Sequence, residues 1–281
     1  MSFEAVFEDW LLRDQTKNRS AALARMMMTK HVLPHWTGRD VTTLGRRDVL
    51  DVVDSIVDRG KLITARRTQS YIHRMFRWAV NRGILESNPA ANLERPGIEK
   101  PRERVLSDSE LVAVWNGAEK QGYPYGKIAQ LLILTAARRG EINALRWDEI
   151  VGDTIELSGE RTKGGRQHTI PLSNAALAVI EALPRIAKSE FVFGSKAPGS
   201  WSAAKPDLDK LSGVTDWHVH DLRRTAATGM HRLGAKLQTI ETVLGHVVGS
   251  RAGIVAVYQR HSPALSPLNG NAMDCSSQAT L

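Results

Sequence analysis

Residues 96–104 read Pro-Gly-Ile-Glu-Lys-Pro-Arg-Glu-Arg, a stretch that neither a helix nor a strand readily crosses. Proline fixes φ and withholds an N–H, glycine relaxes the backbone, and the charges that follow favour solvent. Asn88-Pro89 interrupts the pattern just before. The chain of 281 residues is therefore expected to fold as two bodies, in line with a rough 100–200 residues per domain. The division predicted is a helical domain at 1–97, a linker at 98–104, a second domain at 105–262 and a disordered tail at 263–281. The tail, small, polar and aperiodic, lacks the apolar content a core requires.

Before the break the pattern is helical. Ile72, Met75, Phe76, Ala79 and Val80 recur at three- and four-residue steps within 64–82, and Gly83 stops the run. Arg67, Ser70, Arg74, Arg77 and Asn81 step along the opposite side as a basic stripe. It reads either as a DNA face or as a solvated helix surface. Earlier helices are expected near 3–12, 19–31 and 47–59, with Trp10, Trp36 and Trp78 as core anchors.

After the break, Ser107-Asp-Ser-Glu110 matches a capping box and starts a new helix. An apolar helix at 128–137 and a second through Glu141, Ile142 and Leu145 follow. Residues 153–157 and 167–170 alternate like strands, with Gly164-Gly165 as the turn between them. Ser173 can cap a further helix, Phe191-Val-Phe193 is a short apolar run, and helical spacing returns from Trp201 to about Arg260. The fold class predicted is mainly α with a small antiparallel β-sheet (α+β).

Hydrophobic residues at 42% supply enough apolar mass for two cores, and 38 Lys and Arg against 30 Asp and Glu leave a charge of +8. That excess suits a polyanionic partner, because each Lys or Arg contact to phosphate releases condensed counterions. Cys275 stands alone, which excludes an intrachain disulfide framework or a Cys-based zinc site and suits a reducing compartment. The start lacks a signal-peptide pattern and no apolar run is long enough for a membrane span. A cytoplasmic protein with no membrane association is expected.

Three short strings carry chemistry. In Thr135-Ala-Ala-Arg138-Arg-Gly-Glu141, an Arg projects where a buried helix meets a turn, and Glu141 lies three residues on, within reach to orient it. Taken alone it also fits a surface ion pair. In Trp217-His-Val-His220-Asp-Leu-Arg223, His220 and Arg223 face one way on a helix. There an imidazole that exchanges protons stands beside a guanidinium that grips phosphate. His218 and His220 form an H-x-H pair, but no nearby cysteine or carboxylate set completes a metal site. Val243-Leu-Gly-His246 ends a short helix, and Tyr258 follows twelve residues later. A lone tyrosine is more commonly a packing residue.

Taken in order, Arg138, Lys163, His220-x-x-Arg223, His246 and Tyr258, with short strands between the first Arg and the His-x-x-Arg, resemble the catalytic domain of tyrosine recombinases of the phage-integrase type. The strings Thr-Lys-Gly-Gly-Arg…Ile-Pro-Leu, His-Asp-Leu-Arg-Arg-Thr and Leu-Gly-His look like that family's boxes. The resemblance runs from the helical N-terminal part, which looks like a core-binding domain, to about His261. It implies a site-specific recombinase acting on double-stranded DNA as a homo-tetramer, with DNA integration as its field and no metal or other cofactor. Tyr258 would attack the phosphate and stay joined to the 3′ end. Arg138 and Arg223 would stabilise the pentavalent phosphorus, with His220 as base, Lys163 as acid, His246 as hydrogen-bond donor and Glu141 holding Arg138. Arg67, Ser70, Arg74 and Arg77 would contact DNA. Two departures stand out. The His246–Tyr258 spacing is longer than the commonest pattern, and Pro263 and Pro267 oppose a helix after the tyrosine. An integrase remnant that binds DNA without completing recombination is the alternative, and a type IB topoisomerase-like nicking enzyme a more distant one.

Overall fold

The computed structural model describes residues 1–16, 18–98, 102–199 and 201–245. His246, Tyr258 and the expected disordered tail lie outside these residues. Contacts group the chain into two units, Met1–Pro101 and Arg102–Leu281, each with its own core.

In the first unit, α1 (Phe3–Trp10) starts at Ser2, whose hydroxyl accepts the Ala5 N–H, and winds on through a π-helical turn at Leu11–Gln15. There follow α2 (Ala21–His31), α3 (Leu33–Trp36), α4 (Arg46–Val57) and α5 (Leu62–Asn81). The helices expected near 3–12, 19–31, 47–59 and 64–82 are all present, with ends shifted by a residue or two. On α5, Ala65, Ile72, Met75, Phe76 and Ala79 are fully buried. Burial of each large apolar side chain stabilises by about 1.5–3 kcal/mol. Trp10, Trp36 and Trp78 are core residues as expected. The Trp36 ring meets Phe3 edge-on at 4.9 Å and lies 5.8 Å from Phe76. Away from that buried face, Arg67, Ser70, Arg77 and Asn81 are exposed. Arg74 is partly covered, its guanidinium 5.6 Å from the Tyr71 ring. A groove of about 400 Å³ runs along this surface between Asp14, Asn18, Arg74, Arg77, Trp78 and Asn81.

The second unit opens with α6 (Asp108–Gln121), capped as its sequence foretells. The Ser107 hydroxyl accepts the Glu110 N–H and the Glu110 carboxylate accepts the Ser107 N–H. Then come α7 (Tyr125–Thr135), α8 (Arg139–Asn143), β1 (Ile150–Val151), β2 (Thr154–Leu157), β3 (His168–Pro171), α9 (Asn174–Glu181), α10 (Trp201–Ser212), α11 (Val219–Arg232) and α12 (Leu237–Val243). The strands form one antiparallel sheet in the order β1-β2-β3, with Ile155 opposite Ile170 and Leu157 opposite His168. Ile155, Leu157 and Ile170 alternate into the core beside Ile128, Leu131, Ile142, Phe193 and Leu222. β1 escapes sequence reading because two residues are too few to show alternation. Residues 158–167 connect β2 to β3 by more than a tight Gly-Gly turn. Arg161 accounts for this: its guanidinium donates to the Glu149 carboxylate at 2.5 Å and to the Ala144 carbonyl at 2.7 Å, drawing the connection back over α8. Phe191 makes only an isolated bridge to Arg146. Among the described residues no helix is long and apolar enough to cross a membrane.

Candidate active site

The site begins where α7 ends. Ala136 caps that helix in the left-handed conformation, φ +53° and ψ 17°, which costs a non-glycine residue about 1 kcal/mol. The reversal sends the chain out through Ala137 into Arg138, which is extended and stands as N-cap of α8. Glu141, 3% exposed, accepts both the Arg138 backbone N–H and its Nη1, each at 2.8 Å. One carboxylate therefore fixes the main chain and the guanidinium of the same residue, through charge-assisted bonds stronger than neutral ones.

Arg223 arrives from α11 and is 5% exposed. Its Nη1 donates to the Ala136 carbonyl at 2.6 Å, and its Nη2 donates to the Leu244 carbonyl. Arg138 Nη2 donates to the Gly245 carbonyl at 3.1 Å. Two guanidiniums from distant parts of the chain thus end on the same turn, residues 243–245, which leads into His246. α11 is itself held at its start by Asp221, which is fully buried. Its carboxylate accepts from the His218 N–H at 2.8 Å, Arg224 Nη1 at 2.5 Å and Arg102 Nε at 3.0 Å.

His220 lies in the first turn of α11 with an exposed edge. Its pKa is held below the ordinary histidine value, first by the protein packed around the rest of the ring, then by Arg224 and Arg223; Asp221 opposes them. The neutral imidazole, the form able to accept a proton, is favoured. His220, Arg139, Lys205 and His218 border a cleft of about 680 Å³. Lys163 is exposed in the β2–β3 connection and lies outside the hydrogen-bonded set. The base of its loop is fastened by the Thr162 hydroxyl, which donates to the Arg166 carbonyl at 2.7 Å. Among the described residues, no cluster of three or more His, Cys, Asp or Glu could hold a metal ion.

The structure thus brings together Arg138, Glu141 and Arg223, with His220 within electrostatic reach of both arginines. Arg67, Ser70, Arg74 and Arg77 belong to α5 of the other unit. One residue at the site was missed in the sequence. His168, the first residue of β3, feels Glu141, Arg138 and Arg223. A signal existed: in an alternating strand His168 shares a face with Ile170, and Ile170 is core.

This arrangement can be set beside known proteins. The model of the phage integrase family matches residues 104–264, more than half of the chain, and that of the phage integrase central domain matches 3–96. The chain belongs to the phage integrase family. Within it, the chain is similar to the prophage integrase IntZ of Escherichia coli (strain K12), 28% identical over 97% of this chain and 71% of that protein. It is also similar to the prophage integrase IntA of the same strain, 26% identical over 78% of this chain and 56% of that one. Among solved structures, a lambda integrase dimer bound to a COC′ core site superposes with a TM-score of 0.70 at 18% identity, over 88% of this chain and 95% of that one. A lambda integrase tetramer bound to a Holliday junction gives 0.72 at 17% identity, over 89% and 79%. The integrase fold, mainly helical with a small antiparallel sheet, is the one the sequence led us to expect. Membership carries the reaction class, that of a tyrosine site-specific recombinase.

Proposed function

We infer that this integrase cuts and rejoins double-stranded DNA at specific sites through a 3′-phosphotyrosyl intermediate on Tyr258. The observation that carries the reading is the convergence of Arg138 and Arg223 on the turn that leads into His246. Both guanidiniums are fixed by protein acceptors, so in this reading their positive charge is already in place to offset the charge that builds on the two non-bridging oxygens of one phosphate. In the proposed reaction the Tyr258 oxygen attacks phosphorus. Its proton passes to His220, and a phenol with a pKa near ~10 requires such an acceptor. The bond to the 5′-oxygen breaks as Lys163 protonates that oxygen, and His246 donates to a non-bridging oxygen. The new phosphodiester to tyrosine keeps the energy of the broken one, so a second 5′-hydroxyl reverses the attack without ATP. Because two guanidiniums supply the positive charge, the scheme requires no divalent ion. Arg67, Ser70, Arg74 and Arg77 would hold the backbone of the duplex; the division proposed is an N-terminal domain (1–97), a linker (98–104) and a catalytic domain (105–262). A homo-tetramer in the cytoplasm is the assembly proposed.

The prolines after Tyr258 favour a second reading, a remnant that binds such sites without exchanging strands. One experiment separates the two. A nicked duplex taken from attachment-like repeats flanking the gene is incubated with the protein in EDTA. A covalent adduct with the native chain, absent in Tyr258→Phe, is the expected result. Binding with no adduct from either protein establishes the remnant, and strict dependence on magnesium removes the mechanism.

A further inference from the structure

The turn at 243–245 is held from three directions, and only two have been assigned a purpose. Arg223 binds the Leu244 carbonyl and Arg138 the Gly245 carbonyl. The third neighbour is His168. Its ring lies beside the Val243 backbone and packs against Gly245. A β-carbon at Gly245 would stand 3.0 Å from three ring atoms, Cδ2, Cε1 and Nε2. That is closer than side chains normally pack. Gly245 also has φ +56°, a region where a side chain is disfavoured. Glycine is thus required here twice, once for the turn and once for the imidazole.

His168 is anchored more firmly than a loop residue would be. It pairs with Leu157 in the β2–β3 ladder, two residues from the buried Ile170. Its Nε2 is buried with no hydrogen-bond partner among the described residues, so the ring is held there by packing and by its contact with Val243. We propose that His168 is a positioning residue: from β3 it sets where the 243–245 turn lies, and so how the two guanidiniums bound to that turn meet the substrate phosphate. The charges facing it are Glu141, Arg138 and Arg223. Burial and the two arginines favour the neutral ring, while Glu141 and Val243 oppose them. A neutral ring avoids a third cation beside the guanidiniums. The consequence for phosphate rests on the recombinase reading; the hold on the turn does not.

The test uses the full chain carrying His168→Ala, His168→Asn or Gly245→Ala, the asparagine retaining an N–H donor. Amide hydrogen exchange is followed by mass spectrometry, and adduct formation is timed on the nicked duplex described above. In His168→Ala, exchange over residues 240–245 should accelerate at least tenfold, while α7 and β2 keep native rates. Adduct formation should slow by about 10²-fold, the scale of an ångström-sized misplacement, with DNA affinity within about twofold. His168→Asn should recover part of both losses. Gly245→Ala should loosen the same peptide. Native exchange over 240–245 in His168→Ala overturns the proposal, and so does acceleration spread evenly over the unit. If the native chain forms no adduct yet the exchange responds as stated, the recombinase reading falls and the hold of His168 on the turn stands.

Discussion

Glu141 and Asp221 do for three arginines, Arg138, Arg224 and Arg102, what no surface carboxylate could. Each is almost wholly buried, and each accepts both a backbone N–H and a guanidinium. Burying a carboxylate is costly unless such donors surround it, so the pairs mark places where position is held at the expense of tolerance to change. The two imidazoles of the site are biased the other way. His168 and His220 both have pKa values below the ordinary 6.5, with burial as the first cause. The unfolded chain therefore binds protons that the folded chain resists. Stability is full above about pH 6.5 and falls as pH drops below it toward the lower folded values. The urea midpoint of the native protein should decline from pH 7.5 to pH 5.5. The decline should be shallower in His220→Gln, whose neighbours Arg224, Arg223, Asp221 and Arg138 no longer face a group that titrates. An equal decline in both proteins would remove His220 from the account.

α7 positions the site from its end, which supplies Ala136 and aims Arg138. Its start is seated against α6 through Gly126, where a β-carbon would fall 2.0 Å from the Ala118 carbonyl oxygen and 3.3 Å from the Gln121 side chain. The obstacle is backbone, so it cannot swing aside. Gly126→Ala should push the start of α7 off α6 and lower stability by about 1–3 kcal/mol, the usual cost of overpacking a tight contact. A drop in thermal midpoint is the readout. An unchanged midpoint would mean that the two helices slide apart freely, against the close packing their glycine permits. Sequence periodicity could announce α7 as an apolar helix but not this requirement, because a glycine one residue into a helix is also a common breaker of no consequence.

At the scale of the molecule, the two cores share no residue. One is built from Phe3 to Ala90, the other from Leu106 to Leu222, and the second unit also holds a separate small cluster of Ala136, Ala227, Ile240 and Leu244. A unit with its own closed core folds without its neighbour. A fragment of residues 1–98 should therefore show native helical circular dichroism and a cooperative melt. An unfolded fragment would show that its helices depend on the rest of the chain. The break at Pro96-Gly97 points to two such units in the sequence itself, because proline and glycine interrupt periodicity wherever they fall.

What the amino-acid order determined unaided was local: the capping box at Ser107, the apolar faces of α5 and α7, the alternation of β2 and β3, and the spaced Arg, His and Tyr boxes. Each depends on residues within a few positions of one another, where helical and strand geometry translate directly into pattern. Only the tertiary structure decided that Ala136 must turn left-handed, that Arg138 and Arg223 share the 243–245 turn, and that His168 presses on Gly245. Those contacts join residues from 21 positions apart, Arg223 to Leu244, to 107, Arg138 to Gly245. No periodicity encodes such distances; they follow from where the packed core leaves each helix end.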